Sequence, residues 1–200
     1  MDRFRNTRQP DRGWWHELWP EPDAVLRDLG LVAGTSLADV GSGYGHFTIP
    51  AAEVVAPAPV YAIDVDGTML DEVEALAFER GVENVVTISG DARALASLLP
   101  ERVDAVLVAN TFHGVEAPAT FAEQVSRSLE PGGQFVVVNW HDAPLEETTV
   151  LGTRRGPPPD LRMTTEETRS AVAPAGFEVA HEVDLPPYHY GLVFKRAHDL

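Results

Sequence analysis

The 200-residue chain contains no cysteine. Disulfides, thiolate metal sites and cysteine nucleophiles are therefore excluded, and the redox compartment is left open. Lysine occurs once, at Lys195, and 15 basic residues face 31 acidic ones, a formal net charge of −16. A surface of that sign repels nucleic acid and anionic membranes, so neither is expected as a partner. No apolar run approaches the roughly 18 residues that suggest a membrane span. Residues 1–10 are charged and lack the apolar stretch of a secretory signal, which makes the cytoplasm the expected location. What is present is an ordinary apolar fraction, 44%, enough for one α/β-sized domain with a sizeable core. The acidic, lysine-poor composition has two readings: adaptation to high salt, or a GC-rich gene encoding an acidic protein.

The chain is organised around Leu37-Ala38-Asp39-Val40-Gly41-Ser42-Gly43-Tyr44-Gly45. Small and apolar residues from Ser36 to Val40 predict a short buried strand. Three glycines at alternate positions allow a sharp turn and positive φ. His46 to Val55 then reads as a helix with Pro50 in its first turn. Strand, glycine turn and helix form a nucleotide-binding crevice, with amide donors near the helix N-terminus. A dinucleotide fingerprint needs a glycine where this chain has His46. Asp39, two residues before the first glycine, repels a pyrophosphate and attracts an ammonium or sulfonium. The plain alternative is a turn that binds nothing.

Downstream, a strand Val60–Ile63 ends at Asp64, about twenty residues past the turn, where a ribose-binding carboxylate belongs. Asp66 or Thr68 is the better cap for the helix that follows, which ends at Gly81. Val85–Ile88 is a third strand, followed by Ser89-Gly90-Asp91-Ala92. Val103–Ala109 is a fourth, leading to Asn110-Thr111-Phe112-His113-Gly114 at a crevice-facing strand end. A helix over 117–129 precedes the turn Glu130-Pro131-Gly132-Gly133 and a fifth strand, Phe135–Asn139. Residues 140–163 read as loop. Thr164 to Glu167 offers a capping box, and Phe177–Leu185 and Tyr190–Arg196 read as the last two strands. Alternation of strands and helices implies a parallel sheet covered on both faces.

Taken together, Asp39-x-Gly41-x-Gly43-x-Gly45, Asp64, Asp91-Ala92 and Leu129-Glu130-Pro131-Gly132-Gly133-Gln134-Phe135 resemble the class I S-adenosylmethionine (SAM)-dependent methyltransferases. The resemblance spans roughly residues 25–196, and its nearest general likeness is the small-molecule group that includes ubiquinone and menaquinone C-methyltransferases. It implies an α/β fold: a single seven-stranded, mostly parallel sheet ordered 3-2-1-4-5-7-6, with the last strand antiparallel. It implies SAM as cofactor, with Asp39, Gly41, Ser42, Gly43 and Gly45 at its methionine part, Asp64 and Val65 at the ribose, and Asp91 and Ala92 at the adenine. Asn110 completes that set. Asp91 has a second reading as a helix cap, and the two are compatible.

Methyl transfer to a small-molecule acceptor is the function so implied. The alternatives are a protein that binds SAM or S-adenosylhomocysteine without transfer, and, less well supported, a nicotinamide-dependent oxidoreductase. His113 and His141 follow adjacent strands in the implied order and are candidate bases; as a metal pair they lack further ligands, so no metal is expected. Residues 1–20, with Trp14, Trp15 and Trp19, form an aromatic arm ahead of a domain over 21–200. The arm is either packing or a lid. Phe112, Tyr188 and His189 are candidate borders of the acceptor pocket. Oligomeric state is not legible. If the acidic surface is a salt adaptation, the melting temperature rises with added KCl as self-repulsion is screened; a melting temperature indifferent to KCl assigns the composition to the gene instead.

Overall fold

The computed structural model describes residues 3–7 and 12–196. Its centre is β1 (Leu37–Val40), buried along its whole length. Around it lie β2 (Val60–Asp64), β3 (Val85–Ser89), β4 (Val103–Ala109), β5 (Leu129–Trp140), β6 (Phe177–Leu185) and β7 (His189–Arg196). The sheet order is β3-β2-β1-β4-β5-β7-β6. The first five strands pair in parallel, and β7 runs antiparallel to both its neighbours. This is the implied order, with the seventh strand inserted beside the fifth.

Among the described residues seven α-helices accompany the sheet: α1 (Arg12–Leu18), α2 (Pro22–Asp28), α3 (Thr48–Val55), α4 (Gly67–Arg80), α5 (Leu95–Leu98), α6 (Pro118–Ser128) and α7 (Thr165–Val172). Strand pleating divides the core in two. On β5, Val136 and Val138 face one layer while Phe135 and Val137 face the other, as period-two side chains must. The capping box predicted at Thr164 and Glu167 is present in full. Asp66 caps α4 by accepting from the Thr68 amide, and Gly81 closes that helix in the left-handed conformation. No helix among the described residues is long and apolar enough to cross a membrane.

One segment differs from expectation, and in another the structure agrees with one of two readings. Residues 140–163 are not structureless: they carry a small antiparallel hairpin, Thr149–Val150 with Thr153–Arg154, flanked by two short 3₁₀ turns. Pattern reading misses a hairpin whose strands are two residues each. One residue organises this flap. Arg162, 6% exposed, donates from Nε to Pro157 O (3.0 Å), from Nη1 to Ala143 O (2.6 Å) and from Nη2 to Thr148 Oγ1 (2.9 Å) and Arg155 O (3.3 Å). Its cation also lies over the Trp140 ring at 5.5 Å. The guanidinium fork is suited to fastening several carbonyls at once.

The second is the aromatic arm. Trp14 and Trp15 sit on α1 and Trp19 follows it, and all three join the main core. A ladder of rings runs Tyr188–Trp140–Trp14–Trp15–Trp19, each neighbouring pair stacked with centroids 5.0–6.1 Å apart. Trp19 is 3% exposed and also packs on Phe47 and His189. The arm therefore forms part of the domain's interior instead of resting on it. Trp19→Ala should destabilise the fold by about 3–5 kcal/mol, the range for large aromatic truncation in a core. Urea unfolding measures it, and a loss below about 1 kcal/mol means that the arm detaches at little cost.

Candidate functional site

The carboxyl ends of β1, β2 and β4 open onto one cleft of about 390 Å³. Its floor begins at the glycine turn, where Gly41, Gly43 and Gly45 all have positive φ, 74°, 53° and 92°. A Cβ on Gly41 would stand 2.8 Å from Thr111 Oγ1, so the bare backbone is required by space as well as by conformation. Asp64 braces the turn: Oδ2 accepts from the Gly43 amide at 3.0 Å, and Oδ1 from the Asp66 amide at 2.9 Å. A carboxylate offers about four lone-pair directions, so Asp64 retains acceptor capacity toward the cleft it lines.

Asp39 lies beneath. It is 3% exposed, and Thr48 Oγ1 on α3 donates to it at 2.6 Å. Burial first, and the neighbouring Asp64 charge with it, pushes its pKa up to about 6, against the Thr48 hydrogen bond. At neutral pH the cleft floor thus holds two carboxylates, a field that favours a cation. Asp91, at the end of β3, lines the same cleft with Val65 and Ala92. It accepts from the Arg93 amide at 2.9 Å and pairs with the Arg93 side chain at 3.0 Å, so the capping reading holds while the residue stays on the cleft.

Beyond the turn stand Asn110 and His113. Asn110 has φ 53°, a conformation that asparagine tolerates better than most residues. Its amide nitrogen and oxygen are both buried with no partner among the described residues. Unpaired buried amides are costly and invite a ligand or water. His113 is 7% exposed; neither ring nitrogen has a well-formed hydrogen bond to a described residue. Burial lowers its pKa, opposed by the Asn6 backbone and the Asn139 side chain, with the Arg162 charge assisting. It is a neutral imidazole at pH 7.

The walls come from elements far apart in sequence. Trp14, Trp15 and Trp140 form one side, the flap edge from Arg154 to Pro157 another, and residues 3–7 a third. That last stretch is fastened by Arg3–Asp66, by the Arg5 amide donating to Gly114 O at 3.0 Å, and by Phe4 between Phe121 and Arg93.

Several anticipated residues lie elsewhere. His141 is off the cleft; it is half-exposed and pairs with Asp184 at 3.4 Å, so it does not join His113 across a common centre. Phe112 is fully buried and packs on Phe121 and Phe135, a core residue because the 3₁₀ turn after β4 rolls it inward. Trp19, Tyr188 and His189 back the wall without lining it. Tyr188 stacks on Trp140 and donates to Thr149 O at 2.9 Å; His189 is sealed between Trp19 and Trp140. Ser42, Gly43 and Gly45 shape the turn behind the lining. Sequence reading missed Trp140 and the Arg154–Pro157 edge. The one available signal was Arg154-Arg155, adjacent cations in an acidic chain.

Sheet order, glycine turn and the acid closing β2 are together the frame of the class I SAM-dependent methyltransferases. Comparison with known families agrees: the profile described as "Methyltransferase domain" matches residues 38–137, and the chain belongs to that family. It is 28% identical over 142 residues to the demethylmenaquinone methyltransferase of Anoxybacillus flavithermus, covering 70% of this chain and 56% of that one. With the Staphylococcus aureus enzyme of the same name it shares 30% over 122 residues, 60% of this chain and 48% of the other. The chain thus spans about half the length of these curated relatives. A SAM-dependent methyltransferase structure from Aquifex aeolicus superposes with a TM-score of 0.78 at 26% identity, over 94% of each chain.

SAM fits what the cleft offers: two carboxylates for a cationic ligand, a glycine backbone with no room for side chains, and an unpaired buried amide. Asp39 allows a test of that field. Its elevated pKa means that the ionised form is disfavoured in the fold, so the group's stabilising contribution is present at low pH and is lost as pH rises from 3.8 through about 6. Asp39→Asn should therefore raise stability above pH 6 by up to about 3 kcal/mol, the gain vanishing below pH 4, and should weaken SAM binding. Denaturant titrations at pH 4 and pH 8 measure it; an equal effect at both values removes the buried charge from the explanation.

Proposed function

We propose that the chain transfers a methyl group from SAM to a small-molecule acceptor held between Asn110, His113, Trp14 and Trp140. The observation that carries this reading is one continuous cleft with a cation-favouring floor at Asp64 and Gly41 and a neutral buried imidazole, His113, at its other end. When bound, SAM supplies a methyl group on a sulfonium: the acceptor's electron pair forms the new bond to carbon, and the carbon–sulfur pair leaves with sulfur. The residues hold, align and dehydrate. Asp64 takes the ribose hydroxyls, Asp91 and Ala92 the adenine edge, and the glycine turn with Asp39 beneath it the methionine end. Asn110 turns its amide to the ligand. His113 receives the acceptor's proton where the acceptor carries one. The indole wall and the segment at 3–7 exclude water, which strengthens charge interactions inside.

The acceptor of the curated relatives is not carried over. The matched span, 38–137, contains the cofactor side of the cleft; Trp14, Trp140 and the flap fall outside it.

Asp64→Ala should weaken SAM binding by about 1.5–3 kcal/mol, the scale of hydrogen bonds to a charged group, with the fold retained. Calorimetry with SAM reads this directly, and undiminished affinity takes Asp64 out of the cofactor site. With labelled SAM and small-molecule extracts, His113→Gln should lower transfer by about 100-fold or more while SAM still binds. Because burial lowers the His113 pKa, wild-type transfer should hold its plateau below pH 6.5, the ordinary imidazole value. A rate already falling between pH 8 and 7 excludes His113 as the base.

A further inference from the structure

We infer that the acceptor is an acid: its carboxylate is held by Arg154 at the flap edge, and the atom to be methylated sits beside His113. This rests on the methyl-transfer reading and names its substrate class.

The argument begins from charge. The chain has 15 basic residues against 31 acidic ones, yet four arginines, Arg3, Arg93, Arg154 and Arg155, line this single cleft. Their partners sort them. Arg3 is spent on Asp66 and Arg93 on Asp91 and the Phe4 ring, all at the cofactor end. Arg155 lies over the Trp14 ring at 5.6 Å. Arg154 lies on the flap hairpin and makes no ion pair or side-chain hydrogen bond with any described residue. A guanidinium held at the mouth of a cleft, in a chain with acids to spare, is placed for an anion from outside.

The backbone that carries it is held. Arg162 fastens Arg155 O and Pro157 O, one and three residues further along the flap. Gly156 lies between them, where a Cβ would stand 2.8 Å from Arg162 Nη2 and 3.0 Å from the Trp140 ring. Arg162 itself makes no ion pair with a carboxylate among the described residues, and the charges of Asp142 and Glu146 act on it from nearby. At the cofactor end Asp64 and Asp91 share the lining with Arg3 and Arg93, whereas Arg154 stands at the flap edge with no carboxylate paired to it among the described residues.

Trp14 and Trp140 stack on each other, 25° from parallel with centroids 6.1 Å apart, and their other faces are covered by Trp15 and Tyr188. They give the cleft a fixed apolar border, not an open stacking surface.

The test uses the full-length chain and four probes: 2-hydroxybenzoate, 1-hydroxy-2-naphthoate and the amides of both. Each is titrated by calorimetry with and without S-adenosylhomocysteine. The acids should bind at least about tenfold more tightly than their amides. Arg154→Gln should erase that difference, and Arg154→Lys should restore part of it. S-adenosylhomocysteine affinity should be the same in all three proteins. Acids that fail to bind, amides that bind equally well, or an acid preference that survives Arg154→Gln overturns the inference. Failure of wild-type protein to bind S-adenosylhomocysteine overturns the cofactor reading instead, and the titrations without it still judge Arg154.

Discussion

The hydrogen bond from the Gly43 amide to Asp64 joins the end of β1 to the end of β2. The site depends on it in two ways. It fixes the glycine turn in the left-handed conformations that keep side chains away from the cleft floor. It also holds one oxygen of the only partly satisfied carboxylate there, so the other acceptor directions point to a ligand in a defined frame. The Asp66 amide holds the second oxygen, and Asp66 goes on to cap α4. Turn, acid and helix start are therefore one unit of backbone donors around a single side chain. A carboxylate positioned by backbone donors needs no side-chain partner of opposite sign, and it stays available for the hydroxyl groups of a ligand.

How much of this was legible in the sequence depends on the range over which each signal acts. Glycine spacing, strand alternation and capping residues are local, so β1, the turn, α4 and the box at Thr164 could be read directly. The order of the strands came with the family likeness, since no local pattern states that β7 inserts beside β5. Asp64 and Asp91 were legible because they terminate strands at fixed spacing. His113 and His141 looked equivalent, each just past a strand end. They part company because the turn after Asn110 rolls inward while the chain after Trp140 turns out toward Asp184. Phe112 failed because the 3₁₀ turn that it opens rolls its ring into the core while His113 faces the cleft. Trp140 and the flap edge were illegible because their role is set by Arg162, seven residues beyond Arg155, through bonds to carbonyls that no sequence pattern displays.

The two sides of the cleft differ in origin. The acidic floor is built from strand ends within the span shared with the family, and its geometry follows from the sheet. The basic and aromatic walls come from α1, the end of β5 and the flap, and are held by ring stacking and one buried guanidinium. One fold can serve many acceptors when different walls stand over the same kind of floor. In this chain the wall is tied to the interior, because the tryptophans that form it also belong to the main core.

Arg162 carries a last consequence. The exposed ion pairs of this protein, such as Arg27–Asp23 and Arg127–Glu123, are open to mobile ions and fade as these accumulate. The flap is fastened differently, by a dehydrated cation bonded to neutral carbonyls, where mobile ions scarcely reach. Its shape is therefore indifferent to the saltiness of the medium. The flap side of the cleft keeps its form across ionic conditions that rearrange the charged surface around it.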